Sequence, residues 1–280
     1  MKHTILISIL LWSLCLEGQS WFARMYDPFG EQESAIAMSK IGDSIYIRGN
    51  YLCLENEKIC SILGIFSASQ NEFVSIYQFE GIQGGSKNIM LTSDNILISS
   101  QESDLNLSIS LSLVDKTTFD FINSIELKID STEYFYYTIS TSVLYFDKII
   151  VGAMALDSSI YVDYPGWFNF QEKSILFALN SKYEFDTVIV IPPSSGAFIK
   201  IEDMAVGPDS ILYVSFYEKY LKHGATEDYL EIRKVIYGFN SNFEKTFQWI
   251  GPDFDSQESL SCLTIGPDTS IFINYKRNYQ

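Results

Sequence analysis

Residues 208–215 read PDSILYVS, a short acidic turn followed at once by a run of β-branched and aromatic residues. Proline presets φ for the second position of such a turn, and aspartate tolerates the third. The same arrangement occurs along the whole chain, at GDSIYIRG (42–49), SDNILISS (93–100), FDKIIVGA (146–153), PDSILYVS (208–215) and PDTSIFIN (267–274). Each copy predicts a tight turn that leads into a β-strand, and together they indicate a repeat architecture.

A second motif follows each of the first four copies: SILGIFSASQNEF from Ser61, SISLSLVDKTTF from Ser108, SILFALNSKYEF from Ser174 and KVIYGFNSNFEK from Lys234. It predicts a strand, a polar turn and an aromatic residue that opens another strand, while a shorter apolar run precedes each acidic turn. Each unit is therefore strand A, acidic turn, strand B, variable loop, strand C, polar turn and strand D. Strands B and C are apolar on both faces, as expected when neighbours cover a sheet on both sides.

Four antiparallel strands per unit predict an all-β fold, a β-propeller of four-stranded blades. A β-sandwich would also contain many short strands, but it would not repeat a four-strand unit in register, and a parallel β-helix needs a much shorter repeat. Taking the first isoleucine after each acidic turn as the register point gives intervals of 51, 53, 62 and 60 residues. These register residues are Ile45, Ile96, Ile149, Ile211 and Ile271.

The repeat count gives four complete units and a fifth that stops after strand B. Either a ragged five-blade ring forms, in which WFARMY from Trp21 supplies an outer strand, or the chain is the N-terminal part of a longer protein. We favour truncation, because an open strand edge in the last blade would invite aggregation.

The stretches MAVGPDSILYVS and KVIYGFNSNFEKTF resemble the repeats of secreted bacterial propellers of the NHL-like and delta-60-type families. Their consensus couples an A-DGxLYVxG strand pair to LxxLNxxGxxxxxF, and the resemblance in pattern covers residues 34–280. This chain departs from the consensus glycine after aspartate, where it has Ser44, Asn95, Ser210 and Thr269. The resemblance implies a binding or surface module, often followed by a C-terminal sorting or anchoring domain.

Residues 1–20 have the composition of a secretory signal peptide: a positive start, an apolar run over residues 4–16, and small residues spaced for cleavage before Trp21. The alternative is a membrane anchor, but this run is shorter than the ~20 residues that a spanning helix needs. We expect a mature propeller domain of residues 21–280, secreted or at the cell surface, without membrane insertion.

The formal net charge is −16 at pH 7. Binding to nucleic acid relies on Lys and Arg that neutralise phosphates, so this balance argues against nucleic acid as a partner and equally against an anionic membrane surface. A hydrophobic content of 47% and an aromatic content of 15% are too high for a disordered chain, so a substantial core is expected. The oligomeric state is not predicted.

Three cysteines remain once the signal peptide is removed. Cys53 and Cys60 are separated by the six residues LENEKI and are expected to form a disulfide after export. For so short a loop the disulfide would stabilise the fold by roughly 2.5 kcal/mol. Two free thiols are the alternative. Cys262 lies in the apolar run LSCLTI and is predicted to be a buried, inert thiol.

Histidine chemistry is nearly excluded, because only His223 remains in the mature chain and it lies in the polar stretch YLKHGATEDY. Carboxylates are the remaining catalytic option, since propeller glycosidases use acidic groups from inner strands. Aligning the units puts Ala37, Asn88, Asp203 and Cys262 at one inner-strand position, and only Asp203 is acidic. Glycoside hydrolysis needs a positioned pair of carboxylates. Asp203 is therefore a weak candidate, and a carbohydrate-active enzyme is the alternative function.

No cofactor and no metal site are predicted. Acidic turns that include Asp157 and Asp163 could supply oxygen ligands to calcium, but no EF-hand-like spacing supports this interpretation. Solvated acidic turns are the commoner explanation.

The B–C loops of a propeller all emerge on one face. Those of units 3 and 4, SSIYVDYPGWFNFQEK and FYEKYLKHGATEDYLEIR, are the longest. They carry a group of aromatic candidates for ligand binding: Tyr161, Tyr164, Trp167, Phe168, Tyr217, Tyr220 and Tyr229. Such residues suit stacking on a sugar or burial against a protein; the alternative is that they fold back over their own blades as local cores. We expect a secreted binding or scaffold module that engages a glycan or a protein, and not an enzyme.

Overall fold

The computed structural model describes residues 34–53, 58–83, 89–100, 109–127, 134–161, 170–191, 198–223, 228–254 and 258–277. Within these ranges every element of regular secondary structure is a β-strand, which confirms the predicted all-β class. No helix in the described ranges could span a membrane. The expected signal peptide, residues 1–20, lies outside the described residues.

Each of the four complete units forms one four-stranded antiparallel sheet with its strands in sequence order, as expected for propeller blades. Blade 1 contains β1 (Ser34–Ile41), β2 (Ser44–Cys53), β3 (Lys58–Ser67) and β4 (Glu72–Gln83). Blade 2 contains β5 (Ile89–Leu91), β6 (Asn95–Ser100), β7 (Ile109–Asp115) and β8 (Phe121–Leu127). Blade 3 contains β9 (Tyr134–Tyr145), β10 (Lys148–Tyr161), β11 (Phe170–Leu179) and β12 (Phe185–Ile191).

Blade 4 contains β13 (Phe198–Val206), β14 (Leu212–His223), β15 (Asp228–Phe239) and β16 (Lys245–Phe254). The partial fifth unit forms a sheet of two strands among the described residues, β17 (Glu258–Ile265) and β18 (Ile271–Arg277). The count of four complete units and a partial fifth is therefore confirmed. In each unit the first strand is strand A, and the others follow as B, C and D.

The isoleucine predicted to mark the register of strand B is correct in four units, whereas in blade 4 it lies one residue too early. Ile45, Ile96 and Ile149 each pair with the last core residue of strand C, and in blade 4 that position belongs to Leu212. Leu212 and Ile271 both pair with the last residue of strand A, so Ile211 precedes the equivalent position. The reason is that the turns after Gly207 and Gly266 are one residue longer than those of blades 1–3.

The chain divides into two compact units, Met1–Gly84 and Gly85–Gln280. In the first unit, blade 1 buries Ile47, Leu63 and Ile65. Its A–B and C–D turns are tied together by Asp43, whose carboxylate accepts hydrogen bonds from Ser67 Oγ at 2.7 Å and Ser69 Oγ at 2.6 Å. These two hydroxyls hold the pKa of Asp43 below its usual value.

In the second unit the sheets pack face to face in chain order. One buried cluster joins blades 2 and 3, a second joins blades 3 and 4, and a smaller one joins blade 4 to the fifth sheet. Successive residues of a strand point to opposite faces. Leu212 and Val214 of β14 therefore belong to the cluster with blade 3, while Tyr213 belongs to the cluster with the fifth sheet. This arrangement explains why strands B and C are apolar on both faces.

In blades 3 and 4, an aromatic residue of the C–D turn contacts the A–B turn of the preceding blade. Tyr183 and Phe243 adopt positive φ angles of 64° and 60°. The Tyr183 hydroxyl accepts a hydrogen bond from Asn95 Nδ2 at 2.7 Å, in the A–B turn of blade 2. The Phe243 ring contacts Tyr145 at 6.2 Å between centroids, at the A–B turn of blade 3. We call this contact the turn clamp.

No disulfide is seen among the described residues, so the expected Cys53–Cys60 bond is not shown by this structure. Cys53 pairs in register with Lys58, and Cys60 pairs with Tyr51, so the cysteines are diagonal neighbours on adjacent strands. The Cα atoms of diagonal neighbours are about 7–8 Å apart, which exceeds the usual reach of a disulfide.

Candidate functional site

The ends of neighbouring blades in the second unit lie side by side. Tyr183 and Phe243 connect C–D turns to the A–B turns of the preceding blades, and the Tyr145 hydroxyl donates to Ser210 O at 2.9 Å in the next A–B turn. Since the A–B ends are adjacent, the opposite ends are adjacent too. We call this opposite end of blades 3 and 4 the B–C edge, which comprises residues 134–137, 157–161, 170–173, 198–200, 217–223 and 228–234.

The B–C hairpin of blade 4 extends beyond the innermost strand. Strand A begins at Phe198, which pairs with Lys219, but β14 and β15 remain paired as far as His223 and Asp228. In blade 3, strand A begins at Tyr134, and β10 and β11 extend to the pair Tyr161–Phe170. Much of the predicted variable loop of blade 4 is therefore a regular two-stranded extension.

Of the predicted aromatic candidates of blade 4, Tyr220 and Tyr229 lie in this extension, whereas Tyr217 lies before it, where β14 also pairs with strand A. In the register of the two strands, Tyr217 pairs with Lys234, Tyr220 with Glu231, and Tyr229 with Lys222, so each tyrosine is paired with a charged residue. In blade 3, Tyr161 lies at the last described pair of the hairpin. The other candidates, Tyr164, Trp167 and Phe168, lie outside the described residues.

Four consecutive aromatic residues at the same edge were missed by the sequence reasoning. Tyr134, Phe135, Tyr136 and Tyr137 begin β9, and Tyr134 pairs with Asp157 near the end of β10. The signal was available in the sequence as the run YFYY. It was overlooked because only the B–C loops were considered, whereas strands A begin at the same end of the blades.

Tyr217 lies against a buried ion pair. Lys234 is fully buried, its Nζ donates to Glu202 Oε2 at 2.5 Å, and the same Nζ lies 4.9 Å from the centroid of the Tyr217 ring. Burial lowers the pKa of Lys234, and the Glu202 carboxylate opposes that shift. A cation above an aromatic ring is attracted electrostatically by the π face of that ring. The pair therefore holds the Tyr217 ring in place at the base of the hairpin.

A second ion pair lies beside the first. Arg233 Nε donates to Glu218 Oε2 at 2.7 Å, and the Glu218 side chain is completely buried. Glu218 follows Tyr217 in the strand, so the two ion pairs lie on opposite faces of blade 4. Breaking a buried pair leaves an uncompensated charge. These four charges therefore form a fixed, neutral base for the projecting hairpin.

The catalytic candidate Asp203 joins three neighbouring strands A. Its Oδ2 accepts a hydrogen bond from Leu263 N at 2.7 Å in β17, and its Oδ1 accepts from Met204 N at 2.9 Å and Thr141 Oγ1 at 3.4 Å in β9. Burial raises the pKa of Asp203, and the three donors partly oppose that shift. The register confirms that Ala37, Asp203 and Cys262 are equivalent, each following a bulge in strand A. Asn88 lies outside the described residues, and Thr141 has this position in blade 3.

The acidic residues considered for calcium are not brought together. Asp157 pairs with Tyr134 and Gln171 within the sheet of blade 3, and Asp163 lies outside the described residues. Among the described residues no group of three or more His, Cys, Asp or Glu side chains is arranged to hold a metal ion.

No family model and no curated protein matches the chain. Solved structures resemble it in fold at low identity. The acylaminoacyl peptidase of Pyrococcus horikoshii has a TM-score of 0.48 at 11% identity over 87% of this chain, and this chain covers 43% of that one. The β-propeller domain of the trilobed protease from Pyrococcus furiosus has a TM-score of 0.45 at 9% identity, over 89% of this chain and 79% of that one.

A quinohemoprotein alcohol dehydrogenase from Pseudomonas putida has a TM-score of 0.40 at 7% identity, over 87% of this chain and 47% of that one. This chain therefore covers less than half of the peptidase and of the dehydrogenase. At these identities the likeness concerns the fold alone.

Proposed function

We propose that this chain is a non-catalytic, exported propeller module that binds a glycan through the B–C edge of blades 3 and 4. The observation that carries the proposal is the register of the blade 4 hairpin, where Tyr220 and Tyr229 lie opposite the charged residues Glu231 and Lys222. A sugar offers C–H faces that stack on aromatic rings and hydroxyls that bond to charged side chains. Alternating tyrosines and charges on a projecting hairpin supply both kinds of contact.

The buried charges at the base of the hairpin support binding without catalysis. Glu202, Glu218, Arg233 and Lys234 are held in two ion pairs, and both Asp203 oxygens accept backbone N–H groups. A preformed binding surface loses less entropy when a ligand is bound. Export, expected from residues 1–20, would bring the module into contact with polysaccharides outside the cell.

The alternative is a carbohydrate-active enzyme that uses Asp203. The raised pKa of this carboxyl would suit a general acid, which must be protonated near neutral pH. Glycoside hydrolysis also needs a second carboxylate at about 5–10 Å. Glu202, the neighbouring acid in β13, is paired with Lys234.

The experiment is a binding assay of the full chain on cellulose, chitin, xylan, mannan and peptidoglycan. We expect saturable binding to at least one of these polysaccharides without release of reducing sugar. Tyr220→Ala and Trp167→Ala should each weaken that binding about tenfold or more, as the loss of an aromatic anchor does at other interfaces. Phe121→Ala, on the exposed outer strand of blade 2, is the matched control.

Four outcomes contradict the proposal. The chain could retain none of the polysaccharides, or Phe121→Ala could weaken binding as much as Tyr220→Ala does. Release of sugar that stops in Asp203→Asn would instead establish the enzyme. Capture of a protein by this edge, abolished in Tyr220→Ala while no polysaccharide binds, would establish a protein ligand.

A further inference from the structure

The outer strand of blade 3 differs from the other outer strands in the residues that it exposes. In the described part of the chain, β12 is the terminal strand of its sheet and pairs with β11 alone. Four consecutive residues, Phe185 to Val188, are exposed on both faces of the strand, and Val190 is exposed after them. We propose that β12 pairs antiparallel with β12 of a second copy of this chain, so that blade 3 of each copy belongs to one continuous sheet.

Three exposed apolar side chains lie along one face of this strand. Phe185, Val188 and Val190 are 46%, 39% and 37% exposed. Their partners in β11 all belong to the buried cluster that is shared with blade 2. Because directly paired residues point to the same face of a sheet, the three side chains extend that apolar face to the outer rim of the blade. We call these three residues the β12 stripe.

The other blades have polar or charged residues at the corresponding places. The strand pairings, counted from the register residue of each strand B, identify the counterparts of Val188 and Val190. These counterparts are Ile76 and Gln78 in blade 1, Ser124 and Glu126 in blade 2, and Gln248 and Ile250 in blade 4. Among the four described outer strands, β12 alone therefore has an apolar residue at both positions.

Polar residues on outer strands protect a sheet from pairing with another chain. Proteins use charged side chains and proline on such strands for this purpose. In blade 4, Lys245 occupies the place of Phe185, and its Nζ donates to Gln248 Oε1 at 3.0 Å. Pro252 lies near the end of the same strand. The stretch TVIVI at 187–191 of β12 contains neither a charge nor a proline, so this protection is missing from blade 3.

A second copy is the partner that this strand fits, because its regular part is complementary to itself. Regular pairing with β11 runs from Thr187 to Ile191, so Ile189 is its centre. A two-fold axis at Ile189 would pair Val188 of each copy with Val190 of the other. The four valines would then lie on one face, where β-branched pairs across strands are stabilising. Main-chain hydrogen bonds between the two strands add to this contact.

The size and charge of the contact indicate a weak, reversible dimer. A pair of seven-residue strands is a small interface compared with the ~1,200–2,000 Å² of stable complexes. Each chain also has a formal net charge of −16, so two copies repel each other. Salt screens this repulsion. Association should therefore depend on protein concentration and become stronger as salt is added.

The experiment measures the sedimentation of the full chain by analytical ultracentrifugation over a range of protein and salt concentrations. We expect a monomer–dimer equilibrium whose dissociation constant falls as salt is added. The variants Val188→Lys/Val190→Lys and Val188→Glu/Val190→Glu should each weaken dimerisation about tenfold or more, because like charges would lie opposite each other. An equimolar mixture of the two variants should associate again, since opposite charges then meet across the strands.

Gln248→Lys/Ile250→Lys, at the equivalent positions of blade 4, is the matched control and should leave the equilibrium unchanged. The proposal is wrong if the chain stays monomeric under all these conditions, or if the control weakens association as much as the substitutions in the β12 stripe do. It is also wrong if the mixed variants do not associate, or if dimerisation leaves amide exchange of residues 185–191 unchanged. None of these measurements involves a polysaccharide, so they test the dimer independently of glycan binding at the B–C edge.

Discussion

The carboxylate of Asp203 links β9, β13 and β17 through its three hydrogen-bond donors. An unsatisfied buried donor or acceptor costs about 1–3 kcal/mol. Asparagine can accept with only one atom, so one of the backbone N–H groups of Met204 and Leu263 would lose its acceptor. This residue is therefore expected to affect the stability of the stack of blades.

We predict that Asp203→Asn lowers the free energy of unfolding by about 1–3 kcal/mol, measured by chemical denaturation at pH 7. The difference in the free energy of unfolding between the unsubstituted chain and Asp203→Asn should grow as the pH falls towards 4. Burial raises the pKa of Asp203 in the folded chain above the unfolded value of 3.8. Protonation of Asp203 therefore stabilises the folded chain fully below pH 3.8, and this contribution is lost as the pH rises through the folded pKa. Asparagine does not titrate, so it lacks this contribution.

Asp186→Asn is the matched control for this substitution. Asp186 forms an exposed ion pair with Lys148 at 2.6 Å, with side chains that are 37% and 32% exposed. Exposed pairs of this kind contribute about 0–1 kcal/mol. An equal loss in both variants, or a loss in Asp203→Asn that shrinks as the pH falls, would contradict the role assigned to Asp203.

At this scale the sequence identified the position of Asp203 but not its partners. The alignment of units placed it with Ala37 and Cys262, and the register confirms that placement. Its donor Leu263 is 60 residues away in the chain, and the contact depends on how two blades pack. A repeat pattern predicts equivalent positions, whereas a hydrogen bond between blades depends on tertiary packing.

The A–B turns of blade 4 and of the fifth sheet each contain a non-glycine residue in the left-handed conformation. Ser210 and Thr269 have φ angles of 62° and 64°. The left-handed conformation costs an L-residue about 1–2 kcal/mol, and β-branched residues are least suited to it. Both occupy the place after aspartate where the resembled families have glycine, which adopts this conformation without a steric penalty.

We predict that Thr269→Gly raises the free energy of unfolding by about 0.5–1 kcal/mol, after the greater chain entropy of glycine is deducted. Thermal or chemical denaturation of the full chain measures this change.

Asn95→Gly is the informative control, because Asn95 has the same place after aspartate but is not among the described residues with positive φ. Its Nδ2 donates to the Tyr183 hydroxyl in the turn clamp, so this substitution should destabilise by about 1 kcal/mol. A stabilising Asn95→Gly, or a destabilising Thr269→Gly, would show that turn strain is not the deciding term.

The elements themselves were largely predictable, since each strand follows from an apolar run bounded by a turn. The one-residue error at Ile211 arose because the register was counted from the acidic turn, whose length differs between units. The extension of β14 to His223 was not predicted either. Its polar sequence resembles a loop, and cross-strand pairing with β15 overrides that local preference.

Across the second unit as a whole, each blade is stabilised by the faces of its neighbours. Tyr213 and Ile236 are buried because the fifth sheet covers them. In a stack of repeats, stability is approximately a sum of the units and their nearest-neighbour interfaces. Removal of a terminal unit should therefore weaken the adjacent blade and leave distant blades intact.

We predict that a chain ending at Phe254 has a free energy of unfolding that is lower by about 3–6 kcal/mol. Tyr213 and Ile236 would lose their cover, and burial of each large apolar side chain contributes about 1.5–3 kcal/mol. Hydrogen exchange should accelerate in β14 and β15 while β6 and β7 retain their protection. A chain ending at Arg277 is the control and should keep the exchange pattern of the full chain. Uniform acceleration in every blade would contradict nearest-neighbour stabilisation.

The turn clamp and the B–C edge lie at opposite ends of the same blades, and this separation has an evolutionary consequence. Insertions, deletions and substitutions at one end can accumulate without loosening the contacts that align the sheets at the other. A lineage with this layout could change what it recognises while its scaffold stays the same, and the greatest divergence among descendants would fall in hairpins such as 217–234.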